Sequence, residues 1–323
     1  MALFDLPLDD LRTYRPEVAE PNDFDDFWSG TLAQARAFGG EVSLEPVTPG
    51  LPNVEVFDMT YPGFNGEPIK AWYSRPASAT GNVPVVVQFH GYGGGRGVAF
   101  ENTFWPSAGY AHVVMDNRGQ GSSWGNGGGT PDQGPAGKSI PGFMTRGVED
   151  PHTYYYRRLF TDAVRCIDAA RTLPGVDASQ TFALGGSQGG ASTLAVAGLV
   201  DDLVGVAPDV PFMCHFGRAV TITDADPFAE IRRYLAVHRS DIEQTMHTLS
   251  YFDGVNFAKR ANAPALFSVA LMDEICPPST VFAAFNAYAG GAKDIDVYHF
   301  NGHEGGQGHQ GYKQWRFVSN LTR

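Results

Sequence analysis

Gly185-Gly186-Ser187-Gln188-Gly189 fits the pattern G-x-S-x-G, which suits a serine nucleophile on a tight turn between a strand and a helix. The glycines let the helix pass close to the strand, and the helix N-terminus behind the serine favours developing negative charge. Such a serine needs a base, and the base needs a group to orient it. His303, in Asn301-Gly302-His303-Glu304-Gly305 after the last strand-like run, is the expected base. Asp273, in Met272-Asp273-Glu274-Ile275-Cys276-Pro277-Pro278 after the run Ala265–Leu271, is the expected carboxylate. The order Ser, Asp, His is the one this kind of site takes when each partner follows a strand. Backbone amides of Gln188 and of Tyr92, in His90-Gly91-Tyr92-Gly93-Gly94-Gly95, are the expected donors to a tetrahedral oxyanion. Removing one such donor typically costs roughly 100- to 1000-fold in turnover.

Each residue also has a plainer reading. A pentapeptide this short arises by chance in a glycine-rich chain, as a turn with a surface serine, and the flanking strand and helix weigh against that. Asp273 also suits a helix cap or turn, and Glu274 is its neighbouring rival. Among competing histidines, His299 falls inside the last strand, His309 near the start of the last helix, and His90 in the oxyanion loop, where it is expected to hydrogen-bond. The set His299, His303, Glu304 and His309 admits a metal reading, but H-x3-H suits zinc on a helix. Gly302, Gly305, Gly306 and Gly308 argue against a helix there. Neither a metal nor a cofactor is expected. Pro211-Phe212 either wall an acyl pocket beside Tyr92 or pack in the core, and both readings stand.

The elements that must hold these residues follow from periodicity. Residues 1–40 read as a polar lead and a helix capped by Asn22 or Asp23, with Phe24, Phe27, Trp28, Leu32 and Ala35 at helical spacing. Val54–Tyr61 and Ile69–Ser74 read as an antiparallel hairpin. Val83–Phe89 and Tyr110–Met115 are nearly continuous apolar runs, as strands buried on both faces of a parallel sheet are. A Gly-rich stretch, roughly 117 to 152, lacks periodicity, and loops this long are usually functional or interfacial. A helix with Leu159, Ala163, Val164, Ile167 and Ala170 on one stripe follows. Next come strand Thr181–Leu184, helix Gly189–Val200 and strand Leu203–Ala207. Residues 212–262 interrupt the alternation with helices around Phe228–Val237 and Ile242–Leu249. It resumes with strand Ala265–Leu271, helix Ser279–Tyr288, strand Ile295–Phe300 and a last helix near Gly311–Leu321. The expected architecture is one α/β domain over 1–323. It has a doubly wound, mostly parallel sheet, an N-terminal extension (1–80) and a helical insertion (212–262).

Composition narrows the partners. The chain has 323 residues, 43% hydrophobic, with net charge −12 from 35 Asp+Glu against 23 Lys+Arg. That sign disfavours nucleic-acid or anionic-membrane surfaces as partners. No apolar run approaches the roughly 18–20 residues of a membrane span, and Met1-Ala2-Leu3-Phe4-Asp5 does not open like a secretory signal. Cys166, Cys214 and Cys276 are widely spaced and form no C-x-x-C, so three reduced thiols in a cytoplasmic protein are expected.

Taken together, His90-Gly91-Tyr92, Arg118-Gly119-Gln120-Gly121, Gly185 to Gly189, Asp273-Glu274 with Cys276-Pro277-Pro278, and Gly302-His303-Glu304 resemble one family. It is the acetyl xylan esterase and cephalosporin-C deacetylase family, carbohydrate esterase family seven, of the α/β-hydrolase superfamily. The resemblance spans nearly the whole chain. It implies Ser187, Asp273 and His303 as a triad, Tyr92 and Gln188 as oxyanion donors, and removal of acetyl groups from acetylated xylo-oligosaccharides and other small esters. It also implies a cytoplasmic homo-oligomer, a hexamer with its sites facing an inner chamber. Arg118, Gly119 and Gln120 are implied to be structural, with the guanidinium binding backbone carbonyls near the elbow and substrate contact as the rival role. The Gly-rich 122–150 loop and the loose tail Gly305–Gly311 depart from the pattern. Rival readings are an esterase of the dienelactone-hydrolase type, a prolyl peptidase, for which 323 residues leave no room for a propeller, and a non-catalytic binding protein.

Overall fold

The computed structural model describes residues 3–48, 50–134 and 137–322. Met1 and Ala2 of the N-terminal reading, and Pro135 and Ala136 of the Gly-rich stretch, lie outside them. The chain runs through α1 (Leu8–Thr13), α2 (Phe24–Ala37), β1 (Ser43–Val47), β2 (Val54–Pro62), β3 (Pro68–Pro76), β4 (Val83–Phe89), α3 (Phe104–Ser107) and β5 (Ala111–Met115). It continues through α4 (Tyr155–Ala170), β6 (Val176–Gly186), α5 (Gln188–Leu199) and β7 (Gly205–Asp209). Helices α6 (Phe216–Ile222), α7 (Phe228–Val237), α8 (Ile242–Ser250) and α9 (Gly254–Ala258) precede β8 (Ala265–Ala270), α10 (Pro278–Ala287), β9 (Lys293–Tyr298) and α11 (Gln307–Leu321).

Among the described residues the strands form one nine-stranded sheet in the order β1-β2-β3-β5-β4-β6-β7-β8-β9. β1, β2 and β3 pair antiparallel, β3 meets β5 antiparallel, and every pairing from β5 to β9 is parallel. From β4 the chain steps sideways to β5 and then returns, through α4, to β6 on the other flank of β4. This reversal opens a crevice beyond the carboxyl ends of β4 and β6, where open α/β sheets bind ligands. The segment after β4 begins at His90 and the turn after β6 holds Ser187, so both expected halves of the site meet at the switch point.

Packing fixes the sheet from both faces. Val85, Val86 and Val87 are fully buried, as are Ala111, Val113 and Val114. α4 lays Leu159, Ala163, Val164, Ile167 and Ala170 into the core. α2 docks through Trp28, whose indole Nε1 donates to the Tyr251 carbonyl at 3.0 Å while its ring meets Phe252 and Phe257 edge-on. Asp23 is the N-cap of α2, but its carboxylate accepts the Tyr251 hydroxyl at 2.6 Å rather than a helix amide.

Several boundaries differ from the sequence reading. β1 escaped it because Glu45 and Pro46 break the alternation and no residue of the strand is buried. β6 begins earlier, at Val176, through polar Asp177, Ser179 and Gln180, with a register shift against β4 at Pro84/Val85. The last strand ends at Tyr298, so His299 lies in the following turn rather than inside the strand. The tail read as loose becomes helical from Gln307.

Candidate active site

Ser187 caps α5 at φ 57° and ψ −118°, a conformation an L-residue holds only when its surroundings impose it, at about 1–3 kcal/mol. Those surroundings are visible. The Ser187 amide donates to the Asp209 carbonyl at 2.9 Å, and the Ser187 carbonyl accepts from the amides of Ala191 and Phe212, both at 3.0 Å. The flanking glycines are required by contact. A Cβ on Gly189 would sit 2.2 Å from the Phe89 carbonyl oxygen, and one on Gly185 would sit 2.6 Å from the Gly189 backbone. The sequence therefore builds a strained turn with the serine at its crest.

His303 and Asp273 come together from separate loops. His303 Nδ1 lies 2.8 Å from Asp273 Oδ2, with Asp273 fully buried and the imidazole 28% exposed. The other Asp273 oxygen accepts the amides of Ile275 and Cys276 at 2.8 and 2.9 Å, which fixes the carboxylate before it meets the ring. Glu274 points to solvent. Ser187 and His303 line one cavity of about 500 Å³, together with Gly91, Tyr92, Trp124, Asp209, Val210, Pro227, Ile275 and Glu304. No hydrogen bond joins Ser187 to His303 here, and the serine hydroxyl instead contacts the buried Cys276 thiol. Contacts of this kind commonly close only with substrate bound.

A larger cavity, of about 690 Å³, lies between residues 17–22 and the helices after β7. Size does not make it a reaction site. Its Ser250 donates to the His247 carbonyl, and its Asp253 carboxylate is taken by the amides of His215, Phe216 and Val255.

The loop expected to supply an oxyanion donor is held from several sides. The Tyr92 amide donates to no group among the described residues, and the Gln188 amide, first of α5, has no intrahelical acceptor. The Tyr92 hydroxyl donates to Glu230 Oε1 at 2.6 Å and accepts the Phe143 amide at 2.6 Å, while Met144 N–H reaches Glu230 Oε2 at 3.1 Å. Burial pushes the Glu230 carboxyl up, which suits its place between a phenol and an amide. Trp124 Nε1 donates to the Tyr92 carbonyl at 2.7 Å. The Gly-rich loop thus clamps Tyr92 from both ends. His90 differs from expectation. Its Nε2 is buried without a hydrogen-bond partner among the described residues, and burial lowers its affinity for a proton.

Arg118 is fully buried, and its partners are carboxylates rather than the expected carbonyls. Nε and Nη2 bind Asp162 at 2.5 and 2.8 Å, and Nη1 binds Glu67 at 2.5 Å and Asp132 at 3.5 Å. Burial opposes its charge, but Asp162 and Glu67 outweigh that and hold the guanidinium above its ordinary value. Gly119 follows at φ 67°, a left-handed turn that aims Gln120 at the site. Gln120 Nε2 donates to Tyr155 Oη and Gln188 Oε1, both at 2.9 Å, and Gln120 Oε1 accepts the Gly93 amide at 2.7 Å. The motif therefore joins the Tyr92–Gly93 loop to the elbow.

Pro211 and Phe212 do not line the cavity. Phe212 is wholly buried against Phe228, with ring centroids 4.3 Å apart, because its amide is drawn under the elbow to the Ser187 carbonyl. Val210, Pro227 and Ile275 stand at the wall instead. Pro227 carried no motif and arrives with the insertion, while Ile275 comes in on the loop of Asp273, two residues beyond it. The alternative metal set, His299, His303, Glu304 and His309, does not converge among the described residues. Asp273, Cys276 and His303 do place one donor atom each within 4.8 Å of one another. Both Asp273 oxygens are already engaged, however, and burial pushes the Cys276 thiol up, so this donor set suits a hydrogen-bonded pair better than a cation.

The sheet order, the strained elbow and the loops at the switch point define an α/β-hydrolase. The profile of the acetyl xylan esterase (AXE1) family matches residues 1–321, and the chain belongs to that family. An acetyl xylan esterase from Paenibacillus sp. R4 superimposes with a TM-score of 0.92 at 38% identity, covering 98% of this chain and 99% of that one. Acetyl Xylan Esterase 1 from Thermoanaerobacterium sp. JW/SL YS485 does so with a TM-score of 0.91 at 32% identity, covering 98% and 99%. The acetyl esterase Axe7A of Xylanibacter ruminicola is 27% identical over 287 residues, 84% of this chain. The chain spans 61% of the length of that curated relative.

Proposed function

We propose that the protein is a serine esterase that removes acetyl groups from acetylated xylo-oligosaccharides and other small acetyl esters, including the cephalosporin-C type. The observation that carries this reading is the His303–Asp273 pair opening, with the strained Ser187 elbow, on one cavity. Family membership supports the acetyl group as the acyl part.

In the first half-reaction Ser187 Oγ bonds to the acetyl carbonyl carbon as His303 takes its proton and Asp273 stabilises the imidazolium. The oxyanion sits against the amides of Tyr92 and Gln188. The ester C–O bond breaks, and His303 returns the proton to the leaving alcohol. Water, deprotonated by the same base, then releases acetate. Tyr92, Pro227 and Ile275 line the cavity that receives the acyl group.

A homo-oligomer in the cytoplasm, a hexamer in its fullest form, belongs to the same reading. Three free, buried cysteines support a reducing compartment. Exposed Phe100, Phe104 and Phe300 offer apolar surface for subunit contacts. Among the described residues no helix is long and apolar enough to cross a membrane.

The test is acetate release from p-nitrophenyl acetate and from acetylated xylo-oligosaccharides. Wild type should hydrolyse both, with rates falling from acetyl to butyryl. Ser187→Ala at wild-type rates contradicts the serine mechanism, and hydrolysis of the aryl ester alone contradicts the carbohydrate assignment.

A further inference from the structure

We propose that Asp209 is a positioning residue for acyl transfer: its carboxylate, tethered by Ser268 at the end of β7, forms with Asp273 a two-sided acidic cradle for the His303 imidazole. The inference rests on the roles given above to Ser187, Asp273 and His303.

Asp209 is the last residue of β7, and Asp273 follows β8, the next strand in the sheet. The Asp209 carbonyl already accepts the Ser187 amide. Its carboxylate accepts the Ser268 hydroxyl, whose oxygen in turn accepts the Val210 amide at 3.1 Å. Val210, next along the chain, holds φ 37°, a genuine outlier for a β-branched residue. The carboxylate is held by this small network.

Two glycines locate it. A Cβ on Gly186 would lie 3.8 Å from Asp209 Oδ2, and one on Gly305 would lie 3.9 Å from Oδ1. The carboxylate therefore sits between the elbow and the loop that carries His303, and it lines the cavity with both. Burial pushes this carboxyl up, and the His303 charge acts against that push. When His303 takes the serine proton, the new cation forms against Asp273 and faces Asp209 within the same cavity. Around them stand Glu304 on the His303 loop, the neutral Cys276 thiol, and Asp296 and Tyr298 from β9. A negative charge beside the imidazole favours its protonated form, so losing it should extend activity to lower pH.

Asp209→Asn keeps the shape and the Ser268 bond but removes the charge. On p-nitrophenyl acetate it should lower kcat about ten-fold, leave KM within about two-fold, and move the acid limb of the pH–rate profile down by on the order of 0.5–1 unit. A limb that stays in place, at full or reduced rate, overturns the proposal, since a merely structural role would not move it. Ser187→Ala, measured alongside, should be inactive; activity there removes the serine reading itself rather than this inference alone. Should Asp209→Asn fail to fold by circular dichroism, Ser268→Ala decides. That variant frees the carboxylate and should lower kcat about two- to five-fold at constant KM. An unchanged kcat overturns the proposal.

Discussion

The carboxamides of Gln120 and Gln188 pair reciprocally: Gln120 Nε2 donates to Gln188 Oε1 at 2.9 Å, and Gln188 Nε2 donates to Gln120 Oε1 at 3.2 Å. Both side chains are buried, and Tyr156 Oη closes the set on Gln188 Oε1 at 2.9 Å. Because Gln120 also accepts the Gly93 amide, one pair of side chains sets the elbow relative to the oxyanion loop. The spacing between the Tyr92 and Gln188 amides depends on it.

Gln120→Ala should therefore damage catalysis more than stability. It leaves the Gly93 amide and the Gln188 carboxamide short of partners, at about 1–3 kcal/mol. A shift of about 1 Å between the two oxyanion donors is enough to lower kcat about 100-fold. Steady-state kinetics on p-nitrophenyl acetate and a urea melt check both. Wild-type kcat in a folded variant would show that the pair does not set the donors.

Gly189→Ala tests the elbow by contact. The added methyl would lie 2.2 Å from the Phe89 carbonyl oxygen, and neither backbone can retreat without moving β4 or α5. We expect poor folding, or a melting temperature lowered together with complete loss of turnover. Gly291→Ala, where a Cβ meets nothing within 4 Å, is the matched control. A stable, active Gly189→Ala would mean that α5 does not approach β4 as described.

Asp132 links stability to pH. Arg158 binds both its oxygens at 2.8 Å, and the side chain is only 7% exposed. Burial pushes the carboxyl up, but Arg158 and Arg118 outweigh it and hold it below its ordinary value. A carboxyl depressed in the folded state contributes stability that is fully present above its unfolded value, roughly pH 4, and is lost as pH falls through the folded one. Asp132→Asn should thus be less stable by about 3 kcal/mol at pH 7, with the gap narrowing below roughly pH 4. Melting curves from pH 2.5 to 7 check this, and a gap independent of pH contradicts it.

Asp273→Asn should leave the loop intact, since an amide oxygen can still accept the Ile275 and Cys276 amides. It presents the wrong partner to the ring, so kcat should fall about ten-thousand-fold with little change in KM. A loss of less than about ten-fold would assign Asp273 a turn role only.

The catalytic candidates were legible because each sits on a short motif at a strand end, and strand ends show in apolar runs such as Val83–Phe89 and Ala265–Leu271. The parallel half of the sheet was readable for the same reason. β1 was not, since an edge strand without a buried residue carries no alternation. Spacing left Pro211-Phe212 open between pocket wall and core, because a backbone bond beneath Ser187 decides it. The carboxylates around Arg118 were illegible too: Glu67, Asp132 and Asp162 lie far apart in sequence and converge only through the turn before β3, the Gly-rich loop and α4. Asp209 ends its strand as Asp273 follows its own, yet no motif marks it.

Most direct for the central claim is trapping of the acyl-enzyme. Wild-type protein is mixed with p-nitrophenyl acetate, quenched in acid within milliseconds, digested and mapped by mass spectrometry. One acetyl group should appear on the peptide carrying Ser187, with a burst of p-nitrophenol that matches it. Turnover at the full rate with acetyl on another residue, or with none on Ser187 and the rate kept in Ser187→Ala, would contradict the assignment of this serine as the nucleophile.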